Sequence, residues 1–84
     1  MKYTLNDFEV GDYVHYSTWG SSEVRRVYVE EKFVDENGRQ GFQGFLVDSL
    51  NNRVRFPSGD IRNQFGAWGY TDQIISVEKV DSNA

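Results

Sequence analysis

The pair Asn37-Gly38 constrains the fold of this chain more than any other feature, because it lies between two segments with strand patterns. Residues 23–34 before it are rich in valine, tyrosine and phenylalanine, and residues 41–48 after it place apolar side chains on both faces around two glycines. Asn-Gly between strands is a strong signal of a β-hairpin, since a type I′ turn needs positive φ at both central positions. The sequence therefore predicts a central hairpin with a type I′ turn.

Three further segments carry shorter strand patterns, at residues 12–18, 53–57 and 74–80. The first belongs to an apolar-x-apolar-Gly-Asp-x-apolar-x-apolar run that starts at Phe8 and resembles the first strand of small SH3-like barrels. In the second, Val54 and Phe56 are expected to point inward. We therefore predict an all-β fold, a small SH3-like, partly open barrel of the Tudor or KOW type with about five antiparallel strands. It forms a single domain over residues 1–84, with its core at about 8–80.

Two stretches interrupt these patterns. In the long strand, Val27, Val29 and Phe33 share a face, but Glu31 falls on it as well, which a bulge or a bend to the sheet edge would explain. A helix is the alternative for this segment, and its density of valine and tyrosine favours a strand. Residues 58–69 show no strand pattern, and loops of that length are often functional. A single 3₁₀ turn is expected over residues 70–73, just before the last strand.

The composition excludes several classes of protein. The 84 residues include no cysteine and one histidine, so disulfide frameworks and thiolate metal sites are not expected. The acidic cluster at residues 35–37 lacks the ligand spacing of a calcium loop, and we expect no metal or other cofactor. No nucleophile, phosphate-loop or dinucleotide motif is present, so we expect a protein that is not an enzyme.

The distribution of apolar residues bears on location. No stretch approaches the roughly 20 apolar residues that a membrane span needs, and the first residues contain no apolar run typical of a signal peptide. The absence of cysteine fits a reducing compartment. The sequence therefore predicts a cytoplasmic protein without a membrane partner.

Two motifs resemble a known pattern. Residues 37–44 read Asn-Gly-Arg-Gln-Gly-Phe-Gln-Gly, and residues 68–74 read Trp-Gly-Tyr-Thr-Asp-Gln-Ile. They resemble small, uncharacterised bacterial and bacteriophage proteins with Asn-Gly-Arg-Pro-Gly-Phe-Asp-Gly and Trp-Gly-Tyr-Asp-x-Gln-Ile motifs. Gln40 and Gln43 stand where that pattern has proline and aspartate. The resemblance implies a barrel fold and a bacterial or phage setting, with the host cytoplasm as the location of a phage protein, and it implies no activity.

The same motifs supply the candidate site for a partner or ligand. Residues 37–69 are the only net-positive section of a chain with net charge -4, and all their cations are arginine, which stacks on rings and pairs with carboxylates. An apolar-aromatic hollow with a few polar groups is the usual pattern of a ligand site, and an arginine-aromatic face with polar groups beside it fits that pattern. Its predicted members are Trp19, Arg39, Phe42, Trp68, Tyr70, Asp72 and Gln73.

Structural roles are the alternative for several of these residues. Phe42, Trp68 and Tyr70 would then form core, and Trp19 would cap the barrel. Asp72 would cap the 3₁₀ turn, and Gln73 would satisfy backbone groups.

The favoured function is a small non-enzymatic binding protein with a protein partner. A small anionic ligand is a second candidate. Nucleic acid is disfavoured by the negative net charge unless the mid-chain arginines converge. The alternative class of function is that of a structural protein that self-associates through strand edges. In either case we expect a monomer or a weak homo-oligomer.

Overall fold

The computed structural model describes residues 2–80 and contains one antiparallel sheet. In chain order its strands are β1 (Tyr13–Ser17), β2 (Val24–Val34), β3 (Gln40–Leu46), β4 (Ala67–Tyr70) and β5 (Ile74–Glu78). Single 3₁₀ turns at Leu5–Asp7 and Thr71–Gln73 precede β1 and β5.

The sheet has the strand order β4-β3-β2-β1-β5, which leaves β4 and β5 at its edges, and it curls without closing. The predicted all-β, partly open barrel of five antiparallel strands is confirmed, as is the 3₁₀ turn before the last strand. Residues 1 and 81–84 of the predicted domain lie outside the described residues. Across residues 2–80, no helix has the length and apolar character to cross a membrane.

Aromatic rings form the centre of the core. Phe42 packs edge-on against Phe8 and Tyr16, with ring centroids 6.0 Å and 5.1 Å apart, and all three side chains are fully buried. These perpendicular contacts are the arrangement that ring quadrupoles favour. Phe42 therefore belongs to the core and presents no surface to a partner. The remaining buried members of this cluster are Val14, Val27, Val29, Leu46, Ala67 and Ile74.

A bulge in β2 changes which side chains share a face. The pairing of β2 with β3 shifts between Val29 and Glu31, so of the two explanations for Glu31 the bulge is the one observed. Val29 pairs with Gly44 on the core face, but beyond the bulge Phe33 pairs with Gly41, one residue away from core Phe42. Alternation therefore places Phe33 on the opposite face. The expectation that Phe33 shares a face with the preceding valines is wrong, because the extra residue reverses the alternation.

The hairpin between β2 and β3 forms at the predicted place with a different turn. Gly38 has φ of 80°, whereas Asn37 is not among the residues with positive φ. The Gly38 N–H donates to the Asp35 carbonyl at 3.0 Å, and the Asp35 N–H donates to the Arg39 carbonyl at 2.9 Å. The loop is thus three residues long, with glycine alone in the left-handed region, and the type I′ prediction is wrong. The Asp35 carboxylate stabilises the longer turn because it accepts backbone N–H groups there.

The predicted strand at residues 53–57, a segment that the structure describes throughout, does not form. Two isolated bridges, Val47 with Arg53 and Arg55 with Ile61, are the only β-pairings of this segment among residues 2–80. Phe56 is 51% exposed instead of pointing inward. Its N–H donates to the Asp60 carbonyl, and its carbonyl accepts from the Gly59 N–H, so the chain folds back on itself around Pro57. A local turn therefore replaces the ladder that the alternating pattern predicted.

The sheet is instead completed by β4, which covers the last three residues of the predicted loop and the first residue of the predicted 3₁₀ turn. Its sequence Ala-Trp-Gly-Tyr contains two residues of low strand propensity, which conceals it from a pattern analysis. Ala67 and Gly69 are nevertheless buried, while Trp68 is exposed, as alternation requires. A Cβ on Gly69 would lie 3.0 Å from ring atoms of Phe42 and of Tyr16. The glycine thus lets β4 pack closely on the aromatic core.

Glu78 on β5 forms ion pairs with two other strands, and these contacts should make the stability of the fold depend on pH. Its carboxylate accepts from Arg26 of β2 at 2.8 Å and contacts His15 of β1, and these partners hold its pKa at about 2, below the ordinary 4.5. Because the pKa of Glu78 is lower in the folded state, its ionised carboxylate stabilises the fold fully above pH 4.5. This stabilisation is lost as the pH falls toward 2 and the carboxylate is protonated. The denaturation midpoint of the wild type should therefore fall as the pH is lowered from 4.5 to 2, and that of Glu78→Gln should fall less steeply. Parallel curves for the two proteins would contradict the assignment.

Candidate functional site

Four aromatic side chains and one arginine gather beside the β4 edge. Tyr70 is their centre, because its ring stacks on Trp19 with centroids 6.2 Å apart and contacts Trp68 edge-on at 5.5 Å. Phe33, on the face set by the bulge, lies 6.2 Å from Tyr70 and 6.4 Å from Trp68. We call Trp19, Phe33, Arg39, Trp68 and Tyr70 the ring face.

Both tryptophans of the chain lie on the ring face and are largely exposed. Trp19 is 66% exposed and Trp68 is 58% exposed. Phe65, three residues before Trp68 in the chain, is 90% exposed. Large apolar side chains clustered at the surface are typical of interaction sites, whereas single exposed ones are ordinary. Trp19 and Trp68 thus lie outside the buried core.

Arg39 supplies the positive charge of the ring face. Its guanidinium carbon lies 3.7 Å from the Tyr70 ring centroid and 5.0 Å from that of Trp19. Its Nη2 also donates to an Asp72 carboxylate oxygen at 3.3 Å. Each cation–π contact at an exposed site is worth about 0.5–1 kcal/mol, so these contacts orient the guanidinium more than they stabilise the fold.

The hairpin turn positions both Arg39 and Tyr70 through one carboxylate. One oxygen of Asp35 accepts the backbone N–H groups of Asn37 and Arg39, each at 2.9 Å. The other oxygen accepts the Tyr70 hydroxyl at 3.0 Å. These hydrogen bonds, first that of the Arg39 N–H, lower the pKa of Asp35, and the same carboxylate raises the pKa of Tyr70. The turn of the β2–β3 hairpin is therefore connected directly to the ring at the centre of the ring face.

Gln73 fixes the backbone behind the rings. Its side-chain oxygen accepts from the Tyr70 N–H at 2.8 Å, and its amide nitrogen donates to the Ser17 carbonyl at 3.1 Å. Both ends of the side chain are thus used within the protein, as the structural alternative for this residue expected. The two bonds hold β4 next to the end of β1, and so hold Tyr70 close to the loop that carries Trp19.

A hollow of about 340 Å³ opens beside the ring face. Trp19, Trp68 and Tyr70 line it from the ring face, and Tyr16 and Arg25 line it from the sheet. The rest of its lining is polar and consists of Thr18, Asn63 and Gln73. Tyr16 and Arg25 are paired directly across β1 and β2, so their side chains point to the same face of the sheet.

The cations near the hollow are held by one carboxylate. Glu23 accepts from Arg62 at 2.6 Å and from the Arg25 Nε at 2.8 Å. These two hydrogen bonds hold the pKa of Glu23 at about 2. Glu23 itself does not line the hollow, so it fixes the Arg25 side chain from the outside.

The structure brings six of the seven predicted site residues together and separates one. Trp19, Arg39, Trp68 and Tyr70 form the ring face, and Asp72 and Gln73 are bound to its members by hydrogen bonds. Phe42 is the exception because it is fully buried.

Three neighbouring residues were missed from the sequence. Phe33 could have been found by carrying the alternation past the predicted bulge. Tyr16 and Arg25 have no separate signal in the sequence, because their proximity depends on strand register.

The comparisons with known proteins add no assignment. No family model matches the chain, and no significant match is found among curated proteins or solved structures. The resemblance to small bacterial and phage proteins therefore stays a prediction. Within the part of the chain that the structure describes, no three His, Cys, Asp or Glu side chains are grouped as metal ligands.

Proposed function

We propose that this chain is a small, non-enzymatic binding protein that engages a protein partner through the ring face. The observation that carries the proposal is the exposure of Trp19 and Trp68 together, on either side of Tyr70 and its arginine. Tryptophan, tyrosine and arginine are the residues most enriched among binding hot spots. Two tryptophans with this exposure bury little of their apolar surface when the chain folds, and they would bury more of it in a complex.

A protein partner is favoured over nucleic acid by the positions of the mid-chain arginines. Nucleic acid requires several cations available to phosphates. Here Arg39 donates to Asp72, Arg62 to Glu23 and Arg55 to the Gly59 carbonyl. The fourth, Arg53, donates to backbone carbonyls of the 63–64 turn and lies over the Phe45 ring. These engagements and the net charge of -4 oppose a phosphate-binding surface.

The proposal includes a cytoplasmic setting in a bacterium or an infected host cell. Two observations support it, the cysteine-free sequence and the resemblance of the two glycine-containing motifs to bacterial and phage proteins. A phage protein of this kind would act by occupying a surface of a host protein, since binding is the only activity that the proposal requires.

Selection from a random peptide library displayed on phage tests the proposal without knowledge of the partner. Peptides selected on the immobilised protein should bind it in solution and should lose at least about tenfold in affinity for Trp19→Ala. Phe56→Ala is the matched control, because Phe56 is also half exposed but lies outside the ring face and the hollow. Equal losses for the two variants, or none for Trp19→Ala, would contradict the proposed surface.

A further inference from the structure

The floor of the hollow contains a hydrogen-bonding group that the protein does not use. Tyr16 is fully buried and lines the hollow, and its hydroxyl has no hydrogen-bond partner within residues 2–80. A buried polar group without a partner destabilises the fold, so such groups are rare unless something outside the chain binds them. The other ring hydroxyl beside the hollow, that of Tyr70, is by contrast bound to Asp35.

The charge next to that hydroxyl is positive and not fully engaged. Arg25 lies opposite Tyr16 in the sheet, and its side chain is 23% exposed. Its Nε donates to Glu23, and its two terminal nitrogens make no hydrogen bond to any described residue. The Glu23 carboxylate first, and then the Tyr16 oxygen as a second acceptor beside the guanidinium, raise the pKa of Arg25, and this leaves the hydrogen of the Tyr16 hydroxyl without a partner. Arg25 is the only charged residue in the hollow's lining as far as residues 2–80 are concerned. The free donors are therefore a phenol hydroxyl and one edge of a guanidinium.

We propose that the hollow receives a carboxylate side chain, aspartate or glutamate, from the protein partner, with an apolar neighbour of that side chain packed on Trp19 and Trp68. A carboxylate has one negative charge and two oxygens, which match one guanidinium and an adjacent hydroxyl. A phosphate monoester has a charge of about −1.5 to −2, which a single arginine compensates only in part. The hollow, near 340 Å³, is large enough for such a side chain and is bounded by rings for its neighbour.

This inference rests on the proposed function and assigns the chemistry of the partner at the same site. The acidic body of the protein does not oppose it, because the lining of the hollow carries one arginine and no carboxylate among the described residues. The Glu23 carboxylate behind Arg25 is shared with Arg62, so this group of three side chains keeps one net positive charge. The ring face then supplies the apolar contact, and the Tyr16–Arg25 floor selects an acidic residue over its amide.

A pair of blocked peptides tests the inference directly. The first carries one glutamate between two phenylalanines, and the second carries glutamine in its place; both have capped termini. In a titration followed by ¹⁵N NMR, the glutamate peptide should shift the tryptophan indole resonances at concentrations up to about 5 mM, and the glutamine peptide should bind at least about tenfold more weakly. A phosphoserine analogue should bind more weakly than the glutamate peptide. If the phosphoserine peptide bound more tightly than the glutamate peptide, the site would be reassigned to phosphate.

Tyr16→Phe is the decisive variant because it removes only the unpartnered hydroxyl. It should fold at least as stably as the wild type, since replacing an unpaired buried hydroxyl by hydrogen removes a cost. Its affinity for the glutamate peptide should fall about tenfold, with that for the glutamine peptide unchanged. Arg25→Gln should act in the same direction, and Arg55→Gln, outside the hollow, should have no effect.

The contrary outcomes are separable from failure of the proposed function. Equal binding of the two peptides, no shift at about 5 mM, or unchanged affinity in Tyr16→Phe would overturn the carboxylate assignment. In that case library-selected peptides that still depend on Trp19 would leave the proposed function intact. Selected peptides that bind independently of Trp19 would overturn both.

Discussion

Gly44→Ala should lower the free energy of unfolding by at least about 3 kcal/mol, a large part of the stability of a domain this small. Gly44 lies in β3 opposite the bulge of β2. A Cβ at this position would lie 1.8 Å from the Tyr28 carbonyl oxygen and 2.8 Å from its carbon. Because both atoms belong to backbone, no side-chain rotation relieves the overlap, and the two central strands would have to separate.

Urea denaturation of Gly44→Ala and Gly38→Ala distinguishes this packing effect from general loss of a glycine. Gly38 has positive φ but nothing within 4 Å of its Cβ position, so alanine there should cost only about 1–2 kcal/mol. We expect a much larger loss at Gly44, with weakened protection of β2 and β3 amides from hydrogen exchange. Similar losses at the two positions would show that the close approach of β2 and β3 is not required.

Arg39→Ala combined with Trp68→Ala should lower the affinity for selected peptides by at least about 100-fold. Trp68 is one of the two exposed tryptophans, and Arg39 places its guanidinium over the Tyr70 ring. The cost to folding should be about 1–2 kcal/mol, because the two substitutions remove exposed ring–ring and cation–π interactions and the exposed Arg39–Asp72 ion pair. A large effect on binding with a small effect on stability is expected of side chains that bind a partner and contribute little to folding.

Phe42→Ala provides the opposite case. Phe42 is fully buried between Phe8 and Tyr16, and its truncation should cost about 3–5 kcal/mol. Its effect on binding should follow from loss of the folded state. The comparison separates Phe42, which the sequence left as either a site residue or part of the core and which is buried, from Trp68, which had the same two alternatives and is exposed.

The sequence predicted most of the fold because strand patterns and turn residues are local signals. Four of the five strands lie within two residues of their predicted bounds, and the bulge was indicated by Glu31 on an otherwise apolar face. The fourth strand was placed at residues 53–57, where alternation is clear but a local turn around Pro57 forms instead. The real β4 has a weak pattern and depends on Gly69 packing against the core, a tertiary contact.

The candidate site was predictable in its exposed members and not in its floor. Arg39 and Trp68 follow from motifs that combine glycine with rings, and the structure brings both to Tyr70. Phe33 required the alternation to be followed through the bulge. The pairing of Tyr16 with Arg25 follows only from the register of β1 and β2, which a sequence without a turn signal between those strands does not specify.

The most direct test of the ring face as a binding surface is the peptide affinity of the Arg39→Ala, Trp68→Ala protein measured together with its urea denaturation curve. We predict cooperative unfolding with a small loss of stability and a loss of affinity of at least about 100-fold. Unchanged affinity in a folded double variant would show that the ring face is not the binding surface. Loss of cooperative unfolding would show that these side chains belong to the structural core, and would equally contradict the central claim.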